Sequence, residues 1–314
     1  MTMATEKNAA VQMKDAFEFY RRGRIDEAER VCQAILKTTP EHFDAIHLLG
    51  VIMLWRGELD AGEELLRRAI AIDPTSLDAQ LHRAAALRYL KRSEEALALY
   101  GSLTQHKPDF GEAYYGRACV LIDLGRVADA IVDYEAAVPL LPDHGDLFND
   151  YGIALTRMSR YEGAISAFDR AITIFPNYDR AYNNRGIALF RLGRFSEAEG
   201  DFNKAIAFKP DYTEAYFNRG NALIAQHHSA GEGANASRLE EALASFDRAL
   251  ALGPEFAELF AGRGLVLQLL GRYADGLVNY ERALALRPDF PEAQEGRMLC
   301  EATGGRTGAI SVRL

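Results

Sequence analysis

The feature that most constrains this chain of 314 residues is a spacing. Pro40, Pro74, Pro108, Pro142, Pro176 and Pro210 stand 34 residues apart, Pro254 follows after 44, and Pro288 after 34 again. A fixed period of this length means one supersecondary unit built repeatedly, each copy burying its apolar face on the next. The one irregular interval carries ten extra residues within AQHHSAGEGANASRLEE, rich in Gly, Ala, Ser and Asn, which reads as an inserted loop. Counting from Ala9 gives eight units, at 9–42, 43–76, 77–110, 111–144, 145–178, 179–212, 213–256 and 257–290.

Each unit predicts two amphipathic helices. In 179–212, Ala181, Tyr182, Ile187, Ala188 and Leu189 precede RLGR, and Phe195, Ala198, Phe202, Ala205 and Ile206 precede Pro210. Steps of three, four and seven put these residues on one face of a helix. Gly193 suits a left-handed residue ending the first helix, as do Gly23, Gly57, Gly125 and Gly271 at the same place. Pro210 stops the second helix and Asp211 is positioned to cap the next. Small eighth residues (Gly152, Gly186, Gly220, Gly264) and twentieth residues (Ala164, Ala198, Ala242, Gly276) let paired helices approach closely. Leu155 with Phe168 and Leu189 with Phe202 then fill the space between them. In 77–110, Leu103 replaces the usual alanine and predicts looser packing on the following unit.

A 34-residue helix–turn–helix with these small residues, aromatics and terminal proline resembles the tetratricopeptide repeat. The resemblance covers residues 9 to 290 and implies an all-α fold, a right-handed α-solenoid of eight repeats. PEAQEGRMLCEA, 291–302, reads as a helix capping the last repeat, flanked by a flexible tail at 303–314; residues 1–8 read as an N-terminal tail. The three cysteines, Cys32, Cys119 and Cys300, lie far apart in the stack and read as thiols in a reducing compartment. With no long apolar run, the expectation is a cytoplasmic protein without a membrane partner. A net charge of −9 argues against nucleic acid, whose phosphates need a positive field.

No HExxH, CxxC, Walker A or GxSxG element occurs, so the expectation is no enzyme, no cofactor and no metal. His227 and His228 beside Glu232 read as part of a solvated loop, because adjacent residues rarely converge on one ion. The family resemblance instead implies a concave groove lined by the first helices, with the second, fifth, ninth, twelfth and thirteenth residues pointing inward. In that geometry Trp55, Tyr89, Tyr115 and Phe217 are expected to anchor side chains of a bound peptide, with Asn149, Asn183, Asn184, Asn218 and Asn221, and Arg157 and Arg191, gripping its backbone. As surface amides, Asn184 and Asn218 are expected to be dispensable for folding. The NNRG and FNRG words resemble units in the repeat arm of O-linked N-acetylglucosamine transferases, although the asparagine ladder here is short. The set of lysines and arginines by which some members hold chaperone C-termini is not found. Second residues are acidic in seven of eight positions, from Asp44 to Glu292, with Arg180 the exception. That pattern fits helix electrostatics and also a rail for a basic peptide. Three readings follow: a non-enzymatic scaffold for a protein or peptide ligand, a recruiting arm of an enzyme complex, or a self-assembling structural protein.

Overall fold

The computed structural model describes residues 3–229, 236–253 and 255–311, with side chains described for 8–229, 236–253 and 255–303. Regular structure among them is entirely α-helical. Two compact units form, Met1–Pro142 and Asp143–Leu314. The first holds helices α1 (Met3–Arg21), α2 (Ile25–Thr38), α3 (Phe43–Trp55), α4 (Leu59–Ile72), α5 (Leu77–Tyr89), α6 (Ser93–His106), α7 (Gly111–Asp123) and α8 (Val127–Ala137). The second holds α9 (Gly145–Arg157), α10 (Tyr161–Ile174), α11 (Asp179–Arg191), α12 (Phe195–Phe208), α13 (Thr213–Ser229), α14 (Ala236–Leu252), α15 (Ala257–Leu269), α16 (Tyr273–Leu286) and α17 (Pro291–Ser311). Within each unit, consecutive helices pack on one another, and so do successive odd-numbered helices.

The turn inside each repeat explains the glycine column. Gly23, Gly57, Gly125, Gly193 and Gly271 all have φ between 71° and 81°, as the left-handed end of a first helix requires. At Gly23 the chain closes with Gly23 N–H donating to Tyr20 O at 3.0 Å and Arg24 N–H to Phe19 O at 2.9 Å. Lys91 and Ser159 hold the same place with φ of 61° and 57°, so the turn forces a side chain into a strained region. Helix starts differ from the expected aspartate cap. His42, Ser76 and His144, the residues just before α3, α5 and α9, accept from the backbone N–H of Ala45, Ala79 and Leu147.

The small-residue columns do as expected. A Cβ on Gly186 would lie 2.6 Å from the Phe202 ring, and one on Gly152 2.6 Å from Phe168. Both rings are completely buried, so glycine is what admits them. Leu103 corrects its expectation: it is fully buried in one cluster with Tyr100, Phe110 and Ala113, joining the third repeat to the fourth. α8 stops at Ala137, short of its counterparts, because Pro139 has no N–H to give and blocks the preceding turn.

Three boundaries move. α1 begins at Met3 within the expected tail, since MATEKNAAVQM offers strong helix formers and no breaker. α17 passes Ala302 and runs to Ser311, because glycine weakens a helix without stopping it as proline does. The insertion is not wholly a loop. α13 continues through His227 and His228 to Ser229, and α14 starts at Ala236. Arg238 then bonds Glu199 of α12 at 2.8 Å, a carboxylate also held by Gln226. Residues 230–235, including Glu232, and Pro254 lie outside the described residues.

Candidate functional site

The odd-numbered helices meet along seams, and the seams decide which expected site residues remain available. In the second unit, the fifth residue of one repeat bonds the sixth of the next at two seams. Asn184 Nδ2 donates to Asn149 Oδ1 at 3.0 Å, and Asn218 Nδ2 donates to Asn183 Oδ1 at 3.0 Å. Asn149 and Asn183 are only 2% and 4% exposed. This corrects the expectation that all five asparagines grip a ligand: Asn149 and Asn183 are internal connectors, because a buried amide oxygen needs a donor and the next helix supplies one. Asn184 and Asn218 are half-buried and already donate into the seam, rather than lying free on the surface. Asn221 is half-buried, away from the seam bonds.

In the first unit, histidines take the same two places. His47 Nε2 and His82 Nδ1 lie 2.9 Å apart, one nitrogen donating and the other accepting. Burial depresses both imidazoles, with His82 adding to the effect at His47, while Asp78 pulls both the other way. At two other seams a large apolar fifth residue meets a glycine at the sixth place of the next repeat, Leu81 with Gly116 and Phe217 with Gly262. A Cβ on Gly116 would strike the Tyr100 ring and one on Gly262 the Phe246 ring.

Sequence reading missed a second network. In four repeats the seventh residue is an arginine that reaches a buried polar group at the twenty-third place of the same repeat, while Arg83 reaches the buried Glu63 of the preceding repeat at 2.8 Å. Arg117 pairs both nitrogens with Asp133 at 2.7 and 2.6 Å, Arg185 does the same with Asp201, Arg219 bonds Ser245 and Arg263 bonds Asn279. The hydrogen bond to Asp201 holds the Arg185 guanidinium well above its ordinary pKa. One pair of copies carried the signal. The repeat with Tyr151 in place of arginine has Ala167 in place of the acid.

Two cavities open on the odd-helix side of the second unit. One, of about 270 Å³, is lined by Ile187, Phe190 and Arg191 of α11, Phe202 of α12, and Phe217, Asn218 and Asn221 of α13. The other, of about 420 Å³, is walled by Phe217, Asn221, Leu265, Gln268, Tyr280, Phe290 and Leu299, with Glu258, Glu292 and Glu295 among its lining residues. Phe217 and Asn221 belong to both. Phe217 is locked edge-on against Phe256 at 5.2 Å between centroids and tilted on Phe246 at 6.0 Å. Its ring forms the wall between the two cavities. Arg157 and Arg191 are exposed, and no carboxylate among the described residues pairs with either.

The other expected anchors lie in the first unit. Trp55 and Tyr89 end α3 and α5 and are 69% and 60% exposed, with Arg88 5.7 Å from the Tyr89 ring centre. Tyr115 is half-buried, its ring tilted at 6.3 Å from Tyr134. His227 and His228 sit side by side at the end of α13, ring centres 5.9 Å apart. Among the described residues, no group of three or more His, Cys, Asp or Glu could hold a metal ion. No helix among them is long and apolar enough to cross a membrane. All three cysteines are buried thiols, and burial pushes Cys32 up to about 12.

Comparison with known folds follows the same lines. A structure from Parabacteroides merdae, described as a tetratricopeptide repeat protein, is 18% identical with a TM-score of 0.56, over 82% of this chain and 98% of that one. The C-terminal part of a repeat protein from Cytophaga hutchinsonii is 16% identical with a TM-score of 0.60, over 79% and 97%. YrrB, described as a tetratricopeptide repeat protein with an unusual peptide-binding site, is 23% identical with a TM-score of 0.54, over 63% and 96%. At these identities the likeness is one of fold. The comparison with curated proteins gives no match. One family model, described as tetratricopeptide repeat, matches residues 81–145, 149–213, 183–255 and 234–277, and a second with the same description matches 19–88. This chain belongs to the tetratricopeptide repeat family.

Proposed function

We propose that the chain is a non-catalytic scaffold that holds an extended segment of a partner protein along the odd-numbered helices α11 to α17. One observation carries the reading: two adjoining cavities on that face share the fixed wall of Phe217 and Asn221. An apolar hollow beside amides that offer donor and acceptor is how a surface takes a side chain and holds the backbone next to it. The description of YrrB as a peptide binder on the same fold supports the class of ligand. Trp55 and Tyr89 form a second candidate contact surface in the first unit, and a reducing cytoplasmic setting fits three buried thiols.

Recruitment of substrates to an enzyme, as suggested by the likeness of NNRG and FNRG to the arm of O-linked N-acetylglucosamine transferases, ranks below the simple scaffold. Asn149 and Asn183, two of the five asparagines expected in the groove, are enclosed between helices. Self-assembly through terminal repeats ranks third, and light scattering at several concentrations tests it. The main test selects random 12-residue peptides displayed on phage against the full chain. Hydrogen exchange on the resulting complex then locates the peptide. Protection added to α11, α13, α15 and α17 supports the reading. Protection on α12, α14 and α16, or a library that yields no binder, overturns it.

A further inference from the structure

The charges around the two cavities are ordered, and the order specifies the ligand. Arg191 stands at the smaller cavity, exposed and without a carboxylate partner among the described residues. The wall of Phe217 and Asn221 comes next, followed by the larger hollow with Leu265, Tyr280, Phe290 and Leu299. Beyond it lie three carboxylates. Glu258 is held by Arg287 at 2.7 Å, whereas Glu292 and Glu295 of α17 are exposed and have no cation among the described residues. Glu292 belongs to the acidic second-residue column and serves its helix N-terminus as well. Glu295 lies outside that column, so helix electrostatics does not account for it.

We infer that this face selects an extended segment whose large apolar side chain fills the about 420 Å³ hollow, with a basic residue flanking it toward α17 and an acidic residue flanking it toward α11. The volume falls within the range of ligand pockets, roughly 300–1,000 Å³. An apolar floor supplies the affinity, and unpaired rim charges supply the choice of partner and the direction of the chain. A segment bound in reverse would bring a base to Arg191 and an acid to Glu292 and Glu295, so the charges also exclude the opposite polarity.

The inference rests on the peptide-binding reading above, and the experiment separates the two. The same library of random 12-residue peptides is selected on the wild-type chain and on the Glu292→Lys/Glu295→Lys variant, with Leu299→Arg as a blocked-hollow control. All three positions are exposed, and circular dichroism verifies that each variant stays folded. Wild-type selection should enrich peptides with one large apolar residue between an acidic and a basic flank. The double variant should replace the basic flank by Asp or Glu and bind the wild-type peptides about tenfold more weakly, because two attractions become two repulsions at one rim. Peptides that lose binding in Leu299→Arg but show no flanking charge bias, or the same bias on both proteins, would overturn this inference and leave the scaffold reading standing. Selected peptides indifferent to Leu299→Arg would overturn both.

Discussion

Truncating Asn218 to alanine tests whether the asparagine seams hold the repeats together. Asn183 Oδ1 lies in a side chain that is 4% exposed and accepts from Asn218 Nδ2 at 3.0 Å. Asn218→Ala removes that donor and leaves the oxygen enclosed, which costs about 1–3 kcal/mol. The reverse change is milder. Asn183→Ala leaves the half-buried Asn218 amide able to turn to water, and the expected loss is roughly 0.5–1.5 kcal/mol. With both changed, neither group is stranded, so the double variant should lose less than the two singles added together, by about 1 kcal/mol. Because a repeat array need not unfold in one step, the readout is native-state amide exchange in α11 and α13 rather than a single melting midpoint. Additivity within about 0.3 kcal/mol would show that the two amides do not interact and would refute the seam.

Other outcomes follow from the packing. Gly186→Ala brings a Cβ within 2.6 Å of the enclosed Phe202 ring and should destabilise by about 1–3 kcal/mol, whereas Gly200→Ala, in α12 with open space around it, should gain roughly 0.5–1 kcal/mol; urea denaturation checks both. Lys91→Gly and Ser159→Gly relieve a left-handed backbone and should each raise stability, by up to about 1–2 kcal/mol, in the same assay. The His47–His82 seam predicts acid sensitivity. Burial holds both imidazoles below their ordinary 6.5, Asp78 and Asp44 opposing it at His47 and Asp78 at His82. The unfolded chain therefore takes up protons first, so the contribution is intact above about pH 6.5 and is lost as pH falls toward the folded values. The His47→Leu/His82→Leu variant should flatten that part of the stability–pH curve, and an unchanged slope between pH 7 and 5 would contradict the assignment.

The period made most of the fold legible. Proline, turn glycine and small-residue columns each answer one steric demand that recurs in every copy, so eight copies average out local exceptions. The exceptions were hidden for physical reasons. Pro139 cuts α8 inside a repeat rather than at its end, and helix formers around Ser229 and Ala236 extend α13 and α14 into what reads as a loop. The site was less legible because sidedness within a helix depends on its neighbours. Asn183 and Asn184 are adjacent in sequence, yet one is enclosed and the other half-buried, and only the next helix decides which. Arg185 with Asp201 could have been found, since Tyr151 and Ala167 lose arginine and acid together. The cavities could not, because residues of α11, α13, α15 and α17 converge there only after the helices have packed.

The central claim is that the odd-helix face of the second unit is the one that binds. Calorimetric titration of one library-selected peptide into three proteins measures this directly: wild type, Leu299→Arg and Val278→Arg. Leu299 lines the larger hollow, while Val278 is exposed on α16 and does not line it. A long charged side chain in the hollow should weaken binding at least about tenfold by filling and charging an apolar site, and the same change on α16 should leave the affinity within about twofold. Loss of binding in Val278→Arg with full affinity in Leu299→Arg would place the ligand on the opposite face and contradict the account.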